Sequence, residues 1–274
     1  MRRPGLAAWG LRELILDEQL ALTRRVGADL LELSIDNTPR DALRPGADAS
    51  AIRRVREAFA ASGVRLVCGC TGSDFTAGDP AREVERVCEI IRIAGALDLQ
   101  VLRIFAGFAS DSAVTAEAFE QVLKALTAVR ECADREELVL CVETHGGVRV
   151  EADGALTHFH SLTTRTDCWR KILQTGVAMT YDPANLAAAG VPEPEAFYCL
   201  FREHVRYIHL KDFRDVPGGV APAACGEGRL DWQALKAALR DYDGPAVIEY
   251  EIPDDVEDGM RRSLAFLDRI GMIS

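Results

Sequence analysis

The run VRYIHLK, residues 205–211, reads as a buried strand that ends on charged side chains. Seven other short runs of this kind occur, namely GLAAW (5–9), LLELSID (30–36), VRLVCGC (64–70), VLRIFAG (101–107), LVLCVETH (138–145), VAMTYD (177–182) and PAVIEYE (245–251). Amphipathic stretches separate them, and one begins at Asp79-Pro80, a pair typical of a helix start, with Val84, Val87 and Ile91 on one face. Eight strand–helix repeats predict an α/β fold, a closed (β/α)8 TIM barrel with eight parallel strands.

No linker rich in Pro, Gly or Ser divides the 274 residues, so we expect one TIM-barrel domain over residues 1–274. The competing architecture is a doubly wound open sheet. Such a sheet normally carries a glycine-rich phosphate turn, G-x-G-x-x-G, after its first strand. No such turn follows Trp9 or Leu33, which favours the barrel.

The charge and the cysteines limit the class of protein. A net charge of -11 and a pI near 5.0 argue against a nucleic-acid partner. No apolar stretch is long enough to cross a membrane, and Arg12 and Glu13 interrupt the N-terminal segment too early for a signal peptide. The 8 cysteines form no CxxC pair, which is typical of small buried side chains in a reducing cytoplasm and not of a disulfide framework. We expect a cytoplasmic protein.

Acidic and histidine side chains lie at the ends of the last four predicted strands, at Glu143, His145, Asp182, His209 and Glu249. The carboxyl ends of the strands form the active site of a TIM barrel. Three carboxylates that converge there repel one another unless a cation intervenes. Two Glu, one Asp and one His are ligands that suit Mn²⁺, Mg²⁺ or Co²⁺, and also Zn²⁺. We therefore predict one divalent metal, with Mn²⁺ as the first choice, at Glu143, Asp182, His209 and Glu249.

The segments CVETHGG, TYDPANL, YIHLKD, CGEGRLDW and VIEYE, in this order, resemble the xylose-isomerase-like sugar phosphate isomerase/epimerase superfamily, the AP endonuclease 2 type of TIM barrel. The resemblance covers nearly the whole chain and implies the same four metal ligands. It also implies that Glu143 and Glu249 exchange protons with the substrate. The expected activity is a metal-dependent isomerase or epimerase of a small sugar, polyol or sugar derivative, which removes a proton beside a metal-chelated carbonyl to give an enediolate.

Two other functions stay open on the same scaffold. The superfamily contains inosose and 3-dehydroshikimate dehydratases, and His145 is placed to protonate a departing hydroxyl in such a reaction. A non-catalytic barrel that binds a sugar or a partner protein needs no proton-transfer pair, so the presence of both glutamates counts against it. The multi-zinc AP endonucleases need additional His ligands at positions where this chain has Cys68, Cys70 and Phe105. DNA repair is therefore not expected.

The chain departs from the ketose 3-epimerases at two points. Asn185 stands where they carry a His, and it can hydrogen-bond a substrate but cannot titrate. The Arg that they place after the strand-seven His has only Arg214 or Arg229 as a counterpart here. We expect Lys211 and Asp212 to hold substrate oxygens or orient the ligands, with an ordinary polar strand exit as the alternative.

Three weaker predictions concern single residues. Arg103 is expected to face an anionic group of the substrate or to form an ion pair inside the barrel. Glu227 lies between two glycines in a tight turn and is a candidate for substrate contact. His158 and His160 lie in a long polar segment and are interpreted as surface-loop residues. A homo-oligomer is an open option.

Overall fold

A computed structural model describes residues 1–273 of the chain. Its strands are, in chain order, β1 (Gly5–Leu6), β2 (Leu33–Ser34), β3 (Cys68–Cys70), β4 (Val101–Ile104), β5 (Val139–Glu143), β6 (Gly147–Val150), β7 (Leu156–Phe159), β8 (Ala178–Tyr181), β9 (Val205–Leu210), β10 (Asp212–Val216), β11 (Gly219–Ala223) and β12 (Ala246–Ile248). Its α-helices are α1 (Leu16–Arg25), α2 (Ala49–Ser62), α3 (Pro80–Ala96), α4 (Ala116–Arg135), α5 (Thr166–Ile172), α6 (Pro183–Ala188), α7 (Pro194–Phe201), α8 (Trp232–Ala238) and α9 (Val256–Arg269).

The eight predicted strands form one parallel sheet in the order β1-β12-β9-β8-β5-β4-β3-β2. The prediction of eight parallel strands alternating with helices is therefore confirmed. The two edges of the curled sheet meet at a single bridge between Leu6 and Leu31, where the Glu32 N–H donates to the Leu6 carbonyl at 2.9 Å. The ladder is thus open at this seam instead of fully closed as predicted, because β1 and β2 are only two residues long.

Many of the helices begin after a residue whose side chain accepts a backbone N–H of the first turn. These residues are Asp48, Asp79, Thr115, Asp182 and Asp231. The predicted helix start at Asp79-Pro80 is confirmed, and α3 buries Val87 and Ile91 in the main hydrophobic core. None of the helices within residues 1–273 has the length and apolar composition needed to cross a membrane.

A second sheet, which the sequence did not predict, joins four antiparallel strands in the order β10-β11-β7-β6. It is built from the connections that leave the carboxyl ends of β5 and β9. His158 lies in β7, half-buried and paired with Val148, so its interpretation as a surface-loop residue is wrong. His160 is exposed as predicted. These strands lie in connections that the sequence analysis treated as loops, and the pairing of β7 with β11 joins two connections that are far apart in sequence.

The segment CGEGRLDW wraps around the carboxylate of Asp212. This carboxylate accepts the backbone N–H groups of Gly226, Gly228 and Leu230 at 3.1 to 3.3 Å and the indole N–H of Trp232 at 2.8 Å. A side chain at Gly228 would collide with Asp212. Asp212 therefore shapes the loop that follows β11, and the prediction that it orients ligands or substrate is not supported.

One pair of cysteines is bonded. Cys88 of α3 and Cys132 of α4 form a disulfide with their Cα atoms 5.7 Å apart. The expectation that the cysteines serve only as small buried side chains is therefore wrong for this pair. The pairing depends on how α3 packs against α4, across a sequence separation of 44 residues, and no spacing motif signals it.

Candidate metal centre

The four predicted ligands meet at the carboxyl end of the parallel sheet. Glu143 ends β5, Asp182 follows β8, His209 lies in β9 and Glu249 follows β12. One ligand atom of each lies within 4.8 Å of the others, and all four residues are buried. The parallel register pairs Thr180 with Glu143 and thereby brings the ends of β5 and β8 to the same level. Four separate strands thus supply one cluster.

Asp182 divides its two carboxylate oxygens between a helix and this cluster. Oδ1 accepts the Asn185 N–H at 2.9 Å and caps α6. Oδ2 is buried and accepts no hydrogen bond from any residue of the described chain. An unsatisfied buried acceptor costs roughly 1–3 kcal/mol, which a bound cation would recover. Three carboxylates and one imidazole are a donor set that divalent cations accept, so these residues fit a divalent metal.

The surroundings set the charges of the three carboxylates. Burial is the main cause that raises the pKa of Glu143 to about 7 and that of Asp182 to about 6. Burial would raise the pKa of Glu249 too, but Lys211 and His209 outweigh it and hold that pKa well below its ordinary value. A divalent cation would favour the ionised form of all three carboxylates.

Glu32 is a part of the centre that the sequence analysis missed. Its Oε1 lies 3.2 Å from His209 Nε2 and accepts the Tyr207 hydroxyl at 3.0 Å, and Oε2 accepts the Ala8 N–H at 3.1 Å. Burial would raise the pKa of Glu32, but His209 and Arg103 lower it to about 2. The sequence feature that could have revealed Glu32 is its position as a charged residue inside the apolar run LLELSID. Glu32 holds the imidazole by Nε2, which leaves Nδ1 facing the other carboxylates.

Lys211 lies beside the cluster and contacts two of its carboxylates. Its Nζ donates to Glu249 Oε2 and to Glu251 Oε1, both at 2.7 Å, and lies 3.5 Å from Asp182 Oδ2. Burial would lower the pKa of Lys211, but the carboxylates of Glu249 and Glu251 raise it well above its ordinary value. The ammonium is therefore a fixed positive charge beside the predicted ligands.

Arg103 and Asn185 hold Glu143 from two sides. The Arg103 Nε lies 3.1 Å from Glu143 Oε2, with both side chains buried, so the ion-pair alternative predicted for Arg103 is the one found. The guanidinium also lies over the Phe105 ring, 4.4 Å from its centroid. Asn185 Nδ2 donates to Glu143 Oε1 at 3.0 Å. These contacts fix the orientation of a carboxylate that would otherwise be free to rotate.

Two imidazoles with lowered pKa values lie near the cluster, and they differ in their hydrogen bonds. The Nδ1 of His145 donates to the Gly146 carbonyl, and burial together with Lys211 lowers the pKa of His145 to about 3. His145 is therefore neutral at pH 7 with its Nε2 unprotonated. Burial and Lys211 lower the pKa of His158 to about 4, and neither ring nitrogen of His158 has a hydrogen-bond partner within residues 1–273.

Two predicted substrate contacts lie outside this region. Arg214 is exposed on β10, and Glu227 accepts the Nε of Arg262 at 2.9 Å on the surface. Arg262 belongs to α9, so Glu227 contacts this helix. The alternative to Arg214, Arg229, pairs with Asp215 at 3.1 Å. The expectation that these side chains bind substrate is not supported by their positions.

A cavity of about 650 Å³ opens onto the cluster. Its polar lining includes Arg103, Glu143, His145, His158, Asn185, Lys211, Glu249 and Glu251. Aromatic side chains of Phe105 and Phe108 lie beside His145, with ring centroids 5.1 and 5.4 Å from the imidazole. Cavities of roughly 300–1,000 Å³ hold small-molecule ligands. Two of the predicted ligands, Glu143 and Glu249, and most of the predicted substrate contacts therefore share one cavity.

Solved structures with this fold include the probable 3-DHS dehydratase AsbF of Bacillus anthracis, at 13% identity with a TM-score of 0.78 over 98% of this chain and 99% of that one. D-psicose 3-epimerase with D-tagatose from Clostridium cellulolyticum H10 has 15% identity and a TM-score of 0.71, over 99% and 100%. A xylose isomerase-like protein from Mycobacterium smegmatis in complex with magnesium has 13% identity and a TM-score of 0.73, over 100% and 98%. No curated protein matches the chain.

Identities this low show the shared fold alone. The family is shown by the sequence itself, because the profile of the xylose isomerase-like TIM barrel matches residues 20–270. This match agrees with the eight parallel strands and with the resemblance carried by the strand-end motifs. The chain belongs to the xylose isomerase-like TIM barrel family.

Proposed function

We propose that this protein is a divalent-metal-dependent isomerase or epimerase of a small sugar, polyol or sugar derivative. One observation carries the proposal: Glu143 and Glu249 lie in the same buried four-residue cluster and both line the cavity. Two carboxylates that reach one substrate can exchange protons with it from different positions. Small-molecule chemistry of this kind also agrees with the epimerases and the dehydratase that share the fold.

Glu143, Asp182, His209 and Glu249 would hold the metal, with Mn²⁺ as our first choice. When bound, the cation would draw electrons from a carbonyl and an adjacent hydroxyl oxygen and so acidify the C–H bond beside the carbonyl. Glu32 keeps the imidazole oriented, and Asn185 and Arg103 keep Glu143 oriented. The chain's own part is thus a set of fixed charges and donors around the reacting carbon.

The two glutamates are suited to different halves of a proton exchange. In the metal-free protein burial raises the pKa of Glu143 to about 7, above that of Asp182 and of Glu249, so Glu143 is the carboxyl of the cluster that most readily holds a proton. Lys211 and His209 keep Glu249 ionised against the effect of burial, so its carboxylate is available as a proton acceptor. Proton removal by one glutamate and delivery by the other inverts a carbon, and delivery to the neighbouring carbon isomerises the sugar.

A dehydratase of a cyclic hydroxyketone is the second candidate, and Lys211 supports it. Its buried ammonium lines the cavity 2.7 Å from Glu249, where it can donate a hydrogen bond to a departing hydroxyl and stabilise the negative charge that develops on it. His145 suits this donor role less well than the sequence suggested. Its Nδ1 proton is used by the Gly146 carbonyl, and its low pKa leaves Nε2 without a proton at pH 7.

Product analysis in D₂O distinguishes these reactions. The Mn²⁺-loaded protein is incubated with ketohexoses, ketopentoses, an inosose and 3-dehydroshikimate, and products are followed by NMR. Solvent deuterium in a recovered isomer supports an isomerase or epimerase, and a new alkene or enone supports a dehydratase. Glu249→Gln should abolish turnover and retain the fold, whereas the surface variant Glu227→Gln should keep full activity. Normal turnover in Glu249→Gln would contradict the mechanism, and a wild-type protein that binds a sugar without converting it would favour the binding barrel.

A further inference from the structure

An apolar collar surrounds the entrance of the cavity. We define it as six side chains, Trp9, Val148, Val150, Leu156, Pro222 and Ile252, all of which line the cavity that holds the predicted metal ligands. Each belongs to a segment that follows the carboxyl end of a parallel strand or to the antiparallel sheet built on those ends. Glu143, Glu249 and Lys211 form the polar floor, and the collar forms the apolar entrance.

The register of the antiparallel sheet explains why its apolar side chains face the same way. Val150 pairs with Leu156 and Val148 pairs with His158, and residues two apart on a strand share a face. These four side chains therefore form one surface, and all four line the cavity. Arg149 lies on the opposite face, where it pairs with Glu151 at 2.9 Å.

The collar exposes large apolar side chains that a free monosaccharide would not cover. Val150 is 70% exposed, Val148 39% and Trp9 36%. Half of the six large hydrophobic side chains that are exposed in the described chain lie around this one entrance, and such a concentration marks a binding surface. Trp9 is also fixed in place, because Arg12 lies over its ring at 4.9 Å and donates to its carbonyl at 2.9 Å.

We propose that the collar binds an apolar, ring-bearing substituent of the substrate, so that the substrate is a sugar derivative with its carbonyl-bearing part at the floor and an apolar ring at the entrance. This inference rests on the proposed function. The continuity of floor and collar within one cavity of about 650 Å³ favours this occupant over a separate molecule. Cavities of this size hold drug-sized ligands, which are larger than one sugar ring.

The test uses phenyl and methyl β-D-glycosides of glucose, galactose and xylose as analogues that lack the carbonyl and cannot react, and compares their binding to the Mn²⁺-loaded protein by isothermal titration calorimetry. We expect at least one phenyl glycoside to bind about tenfold or more tightly than its methyl counterpart. The double variant Val148→Ser/Val150→Ser should lose this preference. The control Val139→Ser, an equally conservative change at an exposed valine of β5 outside the collar, should retain it. Circular dichroism and thermal melting confirm that each variant is folded.

The absence of a phenyl preference, or of any glycoside binding, overturns the inference. A second result would also overturn it: the wild-type protein is a dimer without any phenyl preference, and the double variant is a monomer. The collar would then bind a second copy of the chain. A titration with Mn²⁺ alone separates this failure from a failure of the proposed function. If Mn²⁺ binds normally and no phenyl preference is found, only the inference about the collar fails. If Mn²⁺ does not bind, the proposed function fails.

Discussion

The Nε2 atom of His209 lies 3.2 Å from Oε1 of Glu32, on the side of the ring opposite the other carboxylates. The two residues are 177 positions apart in sequence. A carboxylate that accepts the second N–H of a metal-binding histidine fixes the ring and its tautomer. Glu32 would thus strengthen the metal site without contacting the metal.

We expect Glu32→Gln to weaken Mn²⁺ binding by about 10- to 100-fold, since the charge that holds His209 is lost. Calorimetric titration with Mn²⁺ measures this change. Tyr207→Phe is the matched control, because it removes only the hydroxyl that donates to Glu32 at 3.0 Å. An unchanged Mn²⁺ affinity in Glu32→Gln, in a protein that melts like the wild type, would contradict the assigned role.

Removal of the Lys211 ammonium should have two opposite effects. Lys211→Met removes the ammonium that donates to both Glu249 and Glu251, so the metal-free protein should lose roughly 3–5 kcal/mol of unfolding free energy. Added Mn²⁺ should recover more stability in this variant than in the wild type, because the metal replaces the missing charge. Thermal melts with and without Mn²⁺ test this, with the exposed Lys124→Met as the control. Equal Mn²⁺ stabilisation of both proteins would argue against this balance of charges.

Metal binding should release protons and weaken as the pH falls. A ligand holds its proton below its pKa, and the metal must displace that proton. His209, whose pKa the surrounding carboxylates raise well above its ordinary value despite burial, should release one proton when the metal binds. Glu143 should add a second below about 7 and Asp182 a third below about 6. Titrations of Mn²⁺ in buffers of different ionisation enthalpy count these protons. An affinity that is constant from pH 8 to pH 5.5 would refute the prediction.

Asp212 should be a stability residue and not a catalytic one. Asp212→Ala leaves the N–H groups of Gly226, Gly228 and Leu230 without their acceptor, and hydrogen bonds to a charged group contribute about 1.5–3 kcal/mol each. We therefore expect a loss of several kcal/mol in a denaturant titration, with normal Mn²⁺ affinity in the folded fraction. Asp215→Ala, at an exposed position nearby, should change stability by less than about 1 kcal/mol. A stable Asp212→Ala protein with impaired metal binding would reverse this assignment.

Local patterns were sufficient for the parallel sheet and for its ligands. Each buried strand shows as a short apolar run, and in a parallel sheet the residue that ends such a run lies at the same edge as the others. This rule, together with the family resemblance, predicts Glu143, Asp182, His209 and Glu249 as the ligands. The antiparallel sheet could not be predicted in this way, because it pairs β7 with β11 from connections far apart in sequence, and its side chains face a cavity that only the folded chain creates.

The sequence alone determined the fold class, the four candidate ligands and the family resemblance, because all three depend on the order of residues along individual strands. Only the tertiary structure decided that Glu32 supports His209, that Arg103 pairs with Glu143, and that Asp212 and Glu227 lie outside the site. It also decided the disulfide between Cys88 and Cys132. These contacts join residues far apart in sequence, and their distances are set by how strands and helices pack, which no local pattern records.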